Sequence, residues 1–167
     1  ARLLKNMPTC TKNQALDKIA DALIAHSDEI LEANKKDMAH AKEVNMTKAM
    51  QDRLLFTHER IIGVSDGVKK VAALPDPIGE VMESWTRPNG LEISKVRVPI
   101  GVFGIIYEAR PNVTVDIASL CLKSGNACVL RGGKEAIHTN KKLVEIMKDA
   151  TKDILPEGAI ELITELD

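Results

Sequence analysis

The second half of the chain alternates between apolar strands and amphipathic helices, and this alternation limits the fold more than any other feature. The segments IGVFGII at 100–106 and ACVLR at 127–131 are almost continuously apolar, and AIELI at 159–163 is a third candidate strand. Such strands are typical of a parallel sheet buried on both faces, with helices above and below. Gly125 and the turn at 156–158 mark the ends of the intervening helices. We therefore predict an α/β fold with two successive βαβ units.

The first third of the chain has a helical pattern. Apolar side chains at three- and four-residue spacing over 13–34 predict one amphipathic helix. Asn34 and Asp37 are suited to cap a following short helix over 35–44, because a side-chain oxygen there satisfies a free backbone amide. These residues predict a helix boundary near position 34.

Two further helix starts are predicted at threonines. Thr47 and Thr57 have the side chain of a helix cap and each precedes a helical pattern. The helix that follows Thr57 must end near Leu74, because Pro75 and Pro77 cannot continue its hydrogen bonding. The helical front end should therefore close at about residue 75.

A β-hairpin is predicted between the helical front end and the alternating region. VMESWTR at 81–87 and LEISKVRV at 91–98 flank Pro88-Asn89-Gly90. Asn-Gly supplies the positive φ angles of a tight hairpin turn. We expect an antiparallel pair that is peripheral to the main sheet.

The charge balance argues against polyanionic partners. The chain of 167 residues has 23 Lys and Arg against 24 Asp and Glu, a formal net charge of −1. This balance gives no electrostatic footprint for nucleic acid or an anionic membrane. No apolar run is long enough to span a bilayer, and the start ARLLKNMPTC is too short and polar for a signal peptide. The prediction is a cytoplasmic protein that binds neither nucleic acid nor membrane.

The cysteines and histidines are too scattered to predict a metal site or a disulfide. Cys121 and Cys128 lie in apolar runs, where a thiol packs as a small apolar group, so both are predicted core residues. The full set is Cys10, Cys121, Cys128, His26, His40, His58 and His138.

Two polar segments each follow a predicted strand. They lie at the carboxyl ends of the strands, where parallel sheets bind ligands. The first, YEARPNVTVD at 107–116, leads into a helix whose free amides suit an anion or a developing oxyanion. Asn112 is the natural side-chain donor to that oxyanion. Helix capping is the alternative role for Asn112, although capping does not require Glu108, Arg110 and Pro111 around it.

The second string is RGGKE at 131–135. Gly132 and Gly133 let backbone approach a ligand, and the flanking Arg131 and Lys134 can hold phosphate through charge-assisted hydrogen bonds. The alternative is an ordinary glycine turn with two solvated cations. The string matches neither a P-loop nor the GxGxxG dinucleotide motif.

The longest distinctive stretch is VRVPIGVFGIIYEARPNVTVDIASLCLKSGNACVLRGGKEAIHTN at 96–140. It resembles the γ-glutamyl phosphate reductase (glutamate-5-semialdehyde dehydrogenase) family of the aldehyde dehydrogenase superfamily. KIADALIAHSDEILEANKKD at 18–37 and the Asp76-Pro-Ile-Gly79 turn fit the same family. The resemblance runs over essentially the whole chain and covers less than half of the family's length, its N-terminal part.

The resemblance implies an enzyme of proline biosynthesis that reduces γ-glutamyl phosphate to glutamate 5-semialdehyde and phosphate with NADPH. In the family a cysteine thiolate displaces the phosphate, and the thioester accepts hydride. None of Cys10, Cys121 and Cys128 lies in the context of that cysteine. We therefore expect this chain to be inactive alone.

The resemblance also assigns roles to individual residues. Asn112 matches the superfamily asparagine of the oxyanion hole. Arg131 falls where the superfamily has a lysine that reaches the adenosine ribose, and Lys134 falls where many NAD-preferring members have glutamate, so a cation there should favour NADP(H). The cofactor-binding set implied is Ile106, Tyr107, Arg131, Gly132, Gly133 and Lys134; the substrate-binding candidates are Glu108 and Arg110.

The family match predicts three parts of the chain. Residues 1–75 should be a helical segment packed on the cofactor domain, 76–99 a peripheral β-hairpin, and 100–167 the first part of a Rossmann-like NADP-binding domain. The catalytic domain is expected to be absent, and the complete enzyme to be a homo-oligomer with possible association with glutamate 5-kinase. The competing hypothesis is a non-catalytic nucleotide-binding or regulatory α/β module.

Overall fold

The chain folds as a helical front end, a hairpin and a parallel sheet. A computed structural model describes residues 1–165. The front helices are α1 (Thr9–Ala25), α2 (Ser27–Glu43), α3 (Lys48–Leu54) and α4 (His58–Ala73). The hairpin comprises β1 (Val81–Thr86) and β2 (Glu92–Val96), and the second half comprises β3 (Val102–Ile106), α5 (Pro111–Lys123), β4 (Ala127–Arg131), α6 (Ile137–Thr151) and β5 (Ile160–Leu162).

The single helix expected over 13–34 is wrong, because the chain bends at His26 between α1 and α2. His26 has φ −105° and ψ 23°, outside the helical range, and its ring nitrogen lies 2.7 Å from a Glu29 carboxylate oxygen. Ile30 is fully buried beyond the bend, so the apolar spacing continues across it. Hydrophobic periodicity therefore could not reveal the boundary.

The predicted capping roles of Asn34 and Asp37 are also wrong. Both residues are buried in the middle of α2. Asn34 joins α2 to the segment after α3: its amide nitrogen donates to the Leu54 carbonyl at 2.9 Å and its oxygen accepts from the Phe56 N–H at 2.8 Å. The Asn34 amide nitrogen also donates to Thr139 Oγ1 at 3.1 Å, so Asn34 connects α2 to α6, which is distant in sequence.

Asp37 caps a helix, but the helix is α6 and not a neighbour along the chain. Its carboxylate accepts from the backbone N–H groups of His138 and Thr139 at 3.1 and 2.8 Å, and from the Thr139 hydroxyl at 2.6 Å. Ala136, which precedes α6, has no capping side chain. Asp37 therefore satisfies free amides at the start of α6.

The threonine caps are confirmed. Thr47 Oγ1 accepts from the Met50 N–H at 3.4 Å, and Thr57 Oγ1 accepts from the Arg60 N–H at 3.2 Å. Helix α4 ends at Ala73, as expected from the prolines that follow.

The hairpin is confirmed as an antiparallel pair separate from the main sheet, but its turn differs from the expectation. Gly90 has φ +83°, whereas Asn89 has no positive φ. The Gly90 N–H donates to the Arg87 carbonyl at 2.9 Å, and the Arg87 N–H donates to the Leu91 carbonyl at 2.8 Å. This is a three-residue loop with a left-handed third residue, since Pro88 fixes a negative φ before Asn89.

The main sheet has the order β3-β4-β5, with both pairs parallel, which confirms the two βαβ units. The expected burial on both faces is wrong for β3 within residues 1–165, whereas every residue of β4 is buried or half-buried. Helices α5 and α6 contact each other as well as the sheet, so both connecting helices lie on one face, as right-handed crossovers between successive neighbours require. On the opposite face, which we call the open face, Val102 is 57% exposed and Ile106 77% exposed.

The core lies between the covered face of the sheet and the helices α1, α4, α5 and α6. The front helices, the sheet and the helices α5 and α6 all contribute side chains with zero or near-zero exposure. The two halves of the chain therefore share one core. The buried side chains include Leu16, Ile19, Val68, Val115, Leu122, Cys128, Leu130, Leu143 and Met147.

Candidate active-site edge

The carboxyl ends of β3 and β4 are held together by a hydrogen-bonded network. The Tyr107 N–H donates to the Arg131 carbonyl at 3.1 Å and extends the parallel pairing by one residue. The Thr114 hydroxyl donates to the Asn140 side-chain oxygen at 2.8 Å, so the Tyr107 hydroxyl, 2.6 Å from Thr114 Oγ1, is the donor there. Burial raises the pKa of Tyr107. The network ties the 107–110 segment to α5 and α6.

Packing restricts Gly132 more strongly than Gly133, where the close atom is the end of the flexible Glu135 side chain. A Cβ at Gly132 would overlap the Asn140 amide and lie 3.1 Å from the Tyr107 ring, and a Cβ at Gly133 would lie 2.6 Å from a Glu135 carboxylate oxygen. Neither glycine has a positive φ. The space at this turn is therefore occupied by side chains of the chain itself.

Asn112 lies in the first turn of α5 and does not cap it. The residue before the helix, Arg110, makes no side-chain capping bond, and Pro111 occupies the first helical position. The Asn112 amide nitrogen instead donates to Asp116 Oδ2 at 3.1 Å, one turn further along α5. The helix-cap alternative is therefore wrong, and the second amide hydrogen of Asn112 remains available to a ligand.

Asn112 borders a cavity of about 510 Å³. We call it the α4–α5 cavity. Its wall combines acidic, basic and amide side chains on α3, α4 and α5, a composition suited to a polar ligand. It is lined by Asp52, Arg53, Leu55, Phe56, Arg60, Gly63, Val64, Arg110, Pro111, Asn112 and Asp116.

The arginines of this cavity differ in their partners. Arg60 pairs with the Asp52 carboxylate at 2.8 Å and donates to the Leu55 carbonyl at 2.7 Å, so it holds the wall together. Arg110 makes no ion pair within residues 1–165, and Arg53 makes one long contact of 3.7 Å with Glu108. The uncommitted positive charge is therefore on Arg110.

Glu108 and Arg110 border different cavities. Glu108 lines a second cavity of about 370 Å³ with Ala109, Gly133 and Glu135, and its side chain is 78% exposed. Arg53 lines both cavities. The structure thus brings Asn112 and Arg110 together and places Glu108 beside the glycine turn.

The remaining predicted residues lie at the carboxyl edge of the open face. Ile106 pairs with Arg131 across β3 and β4. Lys134 is exposed in a short turn of 3-10 helix before α6. Neither Arg131 nor Lys134 makes an ion pair in the described part of the chain, so both positive charges are available to an anion.

The cysteines match the expectation of core residues at 121 and 128. Cys121 and Cys128 are buried and Cys10 is exposed on α1. A hydrogen bond with Cys121, together with burial, raises the pKa of Cys128 far above its usual range. Among residues 1–165 no group of His, Cys, Asp and Glu is arranged to hold a metal ion, and no helix is long and apolar enough to cross a membrane.

Asp116, Arg53 and Arg60 are site residues that the sequence analysis did not find. Asp116 follows Asn112 at the i,i+4 spacing that places two side chains together on one helix face, and this spacing was the available signal. No comparable signal marked Arg53 and Arg60, because their positions depend on how α3 and α4 pack against α5.

Comparison with known proteins shows the family. The sequence profile of the aldehyde dehydrogenase family matches residues 1–167. The chain belongs to the aldehyde dehydrogenase family. Solved family structures of low identity confirm the fold: a NAD-dependent benzaldehyde dehydrogenase from Corynebacterium glutamicum superposes with a TM-score of 0.72 at 23% identity, over 97% of this chain and 32% of that one.

Within the aldehyde dehydrogenase family, several relatives of about 50% identity or more carry the name given by the resemblance and confirm it. A γ-glutamyl phosphate reductase of Geobacillus sp. (strain WCH70) is 56% identical over 98% of this chain and 40% of its own length. The crystal structure of the Thermotoga maritima γ-glutamyl phosphate reductase superposes with a TM-score of 0.97 at 45% identity, covering 99% of this chain and 40% of that one. The corresponding Saccharomyces cerevisiae structure gives 0.92 at 37% identity, covering 98% and 43%. The chain spans about 40% of the length of the curated relatives it matches.

Proposed function

We propose that this chain is the N-terminal part of an enzyme that reduces γ-glutamyl phosphate to glutamate 5-semialdehyde and phosphate with NADPH, in proline biosynthesis. The observation that carries the proposal is the 56% identity to a γ-glutamyl phosphate reductase over 98% of the chain. Several relatives of the same name, at 49–56% identity, support it.

In this proposal Asn112 is the oxyanion donor. Its amide nitrogen has one hydrogen directed at Asp116 and a second that is uncommitted, and it borders the α4–α5 cavity. A preorganised amide donor stabilises the negative oxygen of a tetrahedral intermediate more than the ground-state carbonyl. The bond to Asp116 holds the amide in one orientation.

We place the cofactor at the carboxyl edge of the open face. Arg131 and Lys134 are suited to it because both are cations without ion pairs in residues 1–165, and Ile106 and Tyr107 supply the bordering backbone. Gly132 packs where a larger residue would meet Tyr107 and Asn140, and Gly133 adds a second residue without a side chain to the same turn. NADPH, when bound, supplies the hydride.

Substrate positioning is assigned to Arg110 and Glu108. The Arg110 guanidinium suits a carboxylate or phosphate of the substrate. Glu108 contacts Arg53 and lines the second cavity with Gly133. We assign it polar contacts with the part of the substrate nearer that glycine. The nucleophile is assigned to none of Cys10, Cys121 and Cys128. A thiolate is required for attack, and the raised pKa of Cys128 opposes its formation there.

The domain division remains part of the proposal, with residues 1–75 as a helical segment on the cofactor domain, 76–99 as a peripheral hairpin, and 100–167 as the first part of the NADP-binding domain. The last two of these residues lie outside the described part of the chain. A cytoplasmic location, a homo-oligomeric complete enzyme and association with glutamate 5-kinase also stay predictions.

The proposal is tested with the protein expressed from its complete gene. We expect it to reduce NADP⁺ in the presence of glutamate 5-semialdehyde and phosphate, the reverse of the biosynthetic direction, and we expect the 167-residue chain alone to show no turnover. The absence of phosphate-dependent turnover in the folded complete protein would contradict the proposal. Nucleotide binding without turnover would instead support a non-catalytic module.

A further inference from the structure

Asp116 is the charged residue of the α4–α5 cavity that the proposed function leaves without a role. It lies one turn after Asn112 and is half-buried. Its one hydrogen bond in the described part of the chain comes from the neutral Asn112 amide, on Oδ2. No cationic side chain within residues 1–165 pairs with Asp116, which lines the α4–α5 cavity, and its second carboxylate oxygen has no hydrogen-bond partner among these residues.

This position is unfavourable for an isolated carboxylate. Burial raises the pKa of Asp116, and the hydrogen bond from Asn112 offsets this only in part. The negative charge also lies beside the amide assigned to a developing oxyanion, and two like charges at that spacing repel. A cation that arrives with the ligand would remove both costs.

The cavity presents one uncommitted positive group as well. Arg60 is neutralised by Asp52, whereas Arg110 has no ion pair within residues 1–165. A free carboxylate and a free guanidinium in one cavity complement a ligand that carries an ammonium group and a carboxylate. This pair of charges is the common part of every α-amino acid.

We propose that Asp116 binds the α-ammonium group of an amino-acid substrate, with Arg110 on the α-carboxylate and Asn112 facing the side-chain carbonyl that reacts. The inference rests on the proposed function and deepens it, because it assigns Asp116 as a specificity-determining residue. An acyl substrate without the ammonium group leaves the Asp116 carboxylate desolvated and unpaired, and the cavity rejects it for that reason.

The test compares two ligands that differ only in the ammonium group. Glutamate and glutarate are titrated calorimetrically into the protein expressed from its complete gene, as wild type and as Asp116→Asn. We expect wild type to bind glutamate at least about tenfold more tightly than glutarate, as charge-assisted hydrogen bonds allow. In Asp116→Asn the preference should fall below about twofold, because glutamate binding weakens and glutarate binding does not.

Two further variants separate a local contact from a general charge effect. Arg110→Gln should weaken both ligands and preserve the preference. Asp66→Asn makes the same charge change at an exposed position of α4 outside the cavity, and it should change neither ligand. Equal binding of the two ligands by wild type, no measurable binding of either, or an equal loss of both in Asp116→Asn would overturn the inference.

The proposed function is checked separately by phosphate-dependent oxidation of glutamate 5-semialdehyde. Turnover by a wild type that shows no preference for glutamate removes the role of Asp116 and leaves the proposed reaction. A preference that depends on Asp116 without turnover supports an amino-acid site and removes the reaction.

Discussion

The Asn112 side chain is held by a hydrogen bond to Asp116 and also borders the α4–α5 cavity, where a ligand can bind. The bond to Asp116 holds the amide, and Arg110 and Pro111, not Asn112, occupy the start of α5. An effect of Asn112 on stability should therefore be small, while an effect on catalysis should be large. These two consequences can be measured independently.

Replacing Asn112 by Ala in the complete protein should lower kcat by about a hundredfold or more, because the donor acts chiefly in the transition state. The affinity for NADPH and the melting temperature should change little. Parallel kinetics and thermal melts make the comparison, with Gln14→Ala, which removes an exposed amide on α1, as the control. A lower melting temperature with an unchanged rate would contradict the oxyanion role.

Lys134 provides a second prediction at this scale. Lys134→Glu puts a negative charge beside the expected 2′-phosphate, so NADPH binding should weaken several-fold or more while NADH binding changes little. The difference should shrink as salt is raised, because exposed charges are screened over about 8–10 Å.

Fluorescence titration of both cofactors measures this selectivity. Lys152→Glu makes the same charge change at the far end of α6 and should leave both affinities unchanged. An equal loss of NADPH and NADH binding in Lys134→Glu would show that Lys134 does not contact the 2′-phosphate.

The sequence predicted the location of these residues better than their contacts. The strings after β3 and β4 do meet at one edge, because the carboxyl ends of parallel strands must. Gly132 was predicted to allow close approach of a ligand, whereas in the structure the Tyr107 ring of the same chain lies close to it. Asp116 was not found as a site residue from the sequence, because its neighbours in α5 are mostly apolar. Its pairing with Asn112 follows only if Asn112 lies inside α5 and does not cap it.

At the scale of secondary-structure elements, Asp37 links two helices that are far apart in sequence. Its carboxylate accepts two backbone N–H groups and one hydroxyl at the start of α6. All three donors would lose a partner together if the carboxylate were removed. The start of α6 therefore depends on α2.

Asp37→Ala should lower the free energy of unfolding by about 2–4 kcal/mol, because buried donors are left unsatisfied and a helix end loses its cap. Denaturant unfolding monitored by circular dichroism measures the loss. Asp66→Ala, at an exposed position of α4 without an ion pair among residues 1–165, is the control and should stay within about 0.5 kcal/mol of wild type. A similar small change in Asp37→Ala would contradict the capping role.

The elements that sequence patterns predicted correctly are those whose signals are local. Thr47 and Thr57 cap helices that begin at the next residue, and the prolines after Leu74 end α4 directly. Asn34 and Asp37 have the same local preference, but burial in α2 turned their side chains toward the remote Leu54 and Thr139. Residue type alone does not distinguish the two situations.

For the whole molecule, the strand order explains the one large error in the predicted fold. Apolar residues in β3 predicted helices on both faces, yet Val102 and Ile106 face away from α5 and α6. A nearly continuous apolar strand favours burial of both its faces, but the pattern does not identify which segment covers each face. In relatives more than twice as long as this chain, additional sequence is available to cover that face.

A charged contact near the amino terminus should make stability depend on acid pH. Asp76 accepts from Lys12 Nζ and Thr9 Oγ1, both at 2.8 Å, and from the Ile78 N–H at 2.9 Å. Burial opposes ionisation, but these hydrogen bonds outweigh it and lower the pKa of Asp76 below its usual value of 3.8. The contact joins α1 to the turn after α4.

A lowered carboxyl pKa contributes stability that is fully present above the unfolded-state value and is lost as pH falls through the lower folded-state value. The free energy of unfolding should therefore fall as pH drops below about 3.8. Asp76→Asn should be less stable at neutral pH and should show a shallower decline in that range. Urea unfolding at a series of pH values measures both curves, and parallel curves would contradict the contribution of Asp76.

The link between Asp37 and α6 also bears on the order in which the chain takes shape during synthesis. Helices α1 to α4 leave the ribosome first, and Asp37 remains hydrated until Thr139, 102 residues later, has been made. Contacts of such long sequence separation tend to form late in folding. A contact made after the transition state slows unfolding more than it speeds folding, so we expect Asp37 chiefly to lengthen the lifetime of the folded chain.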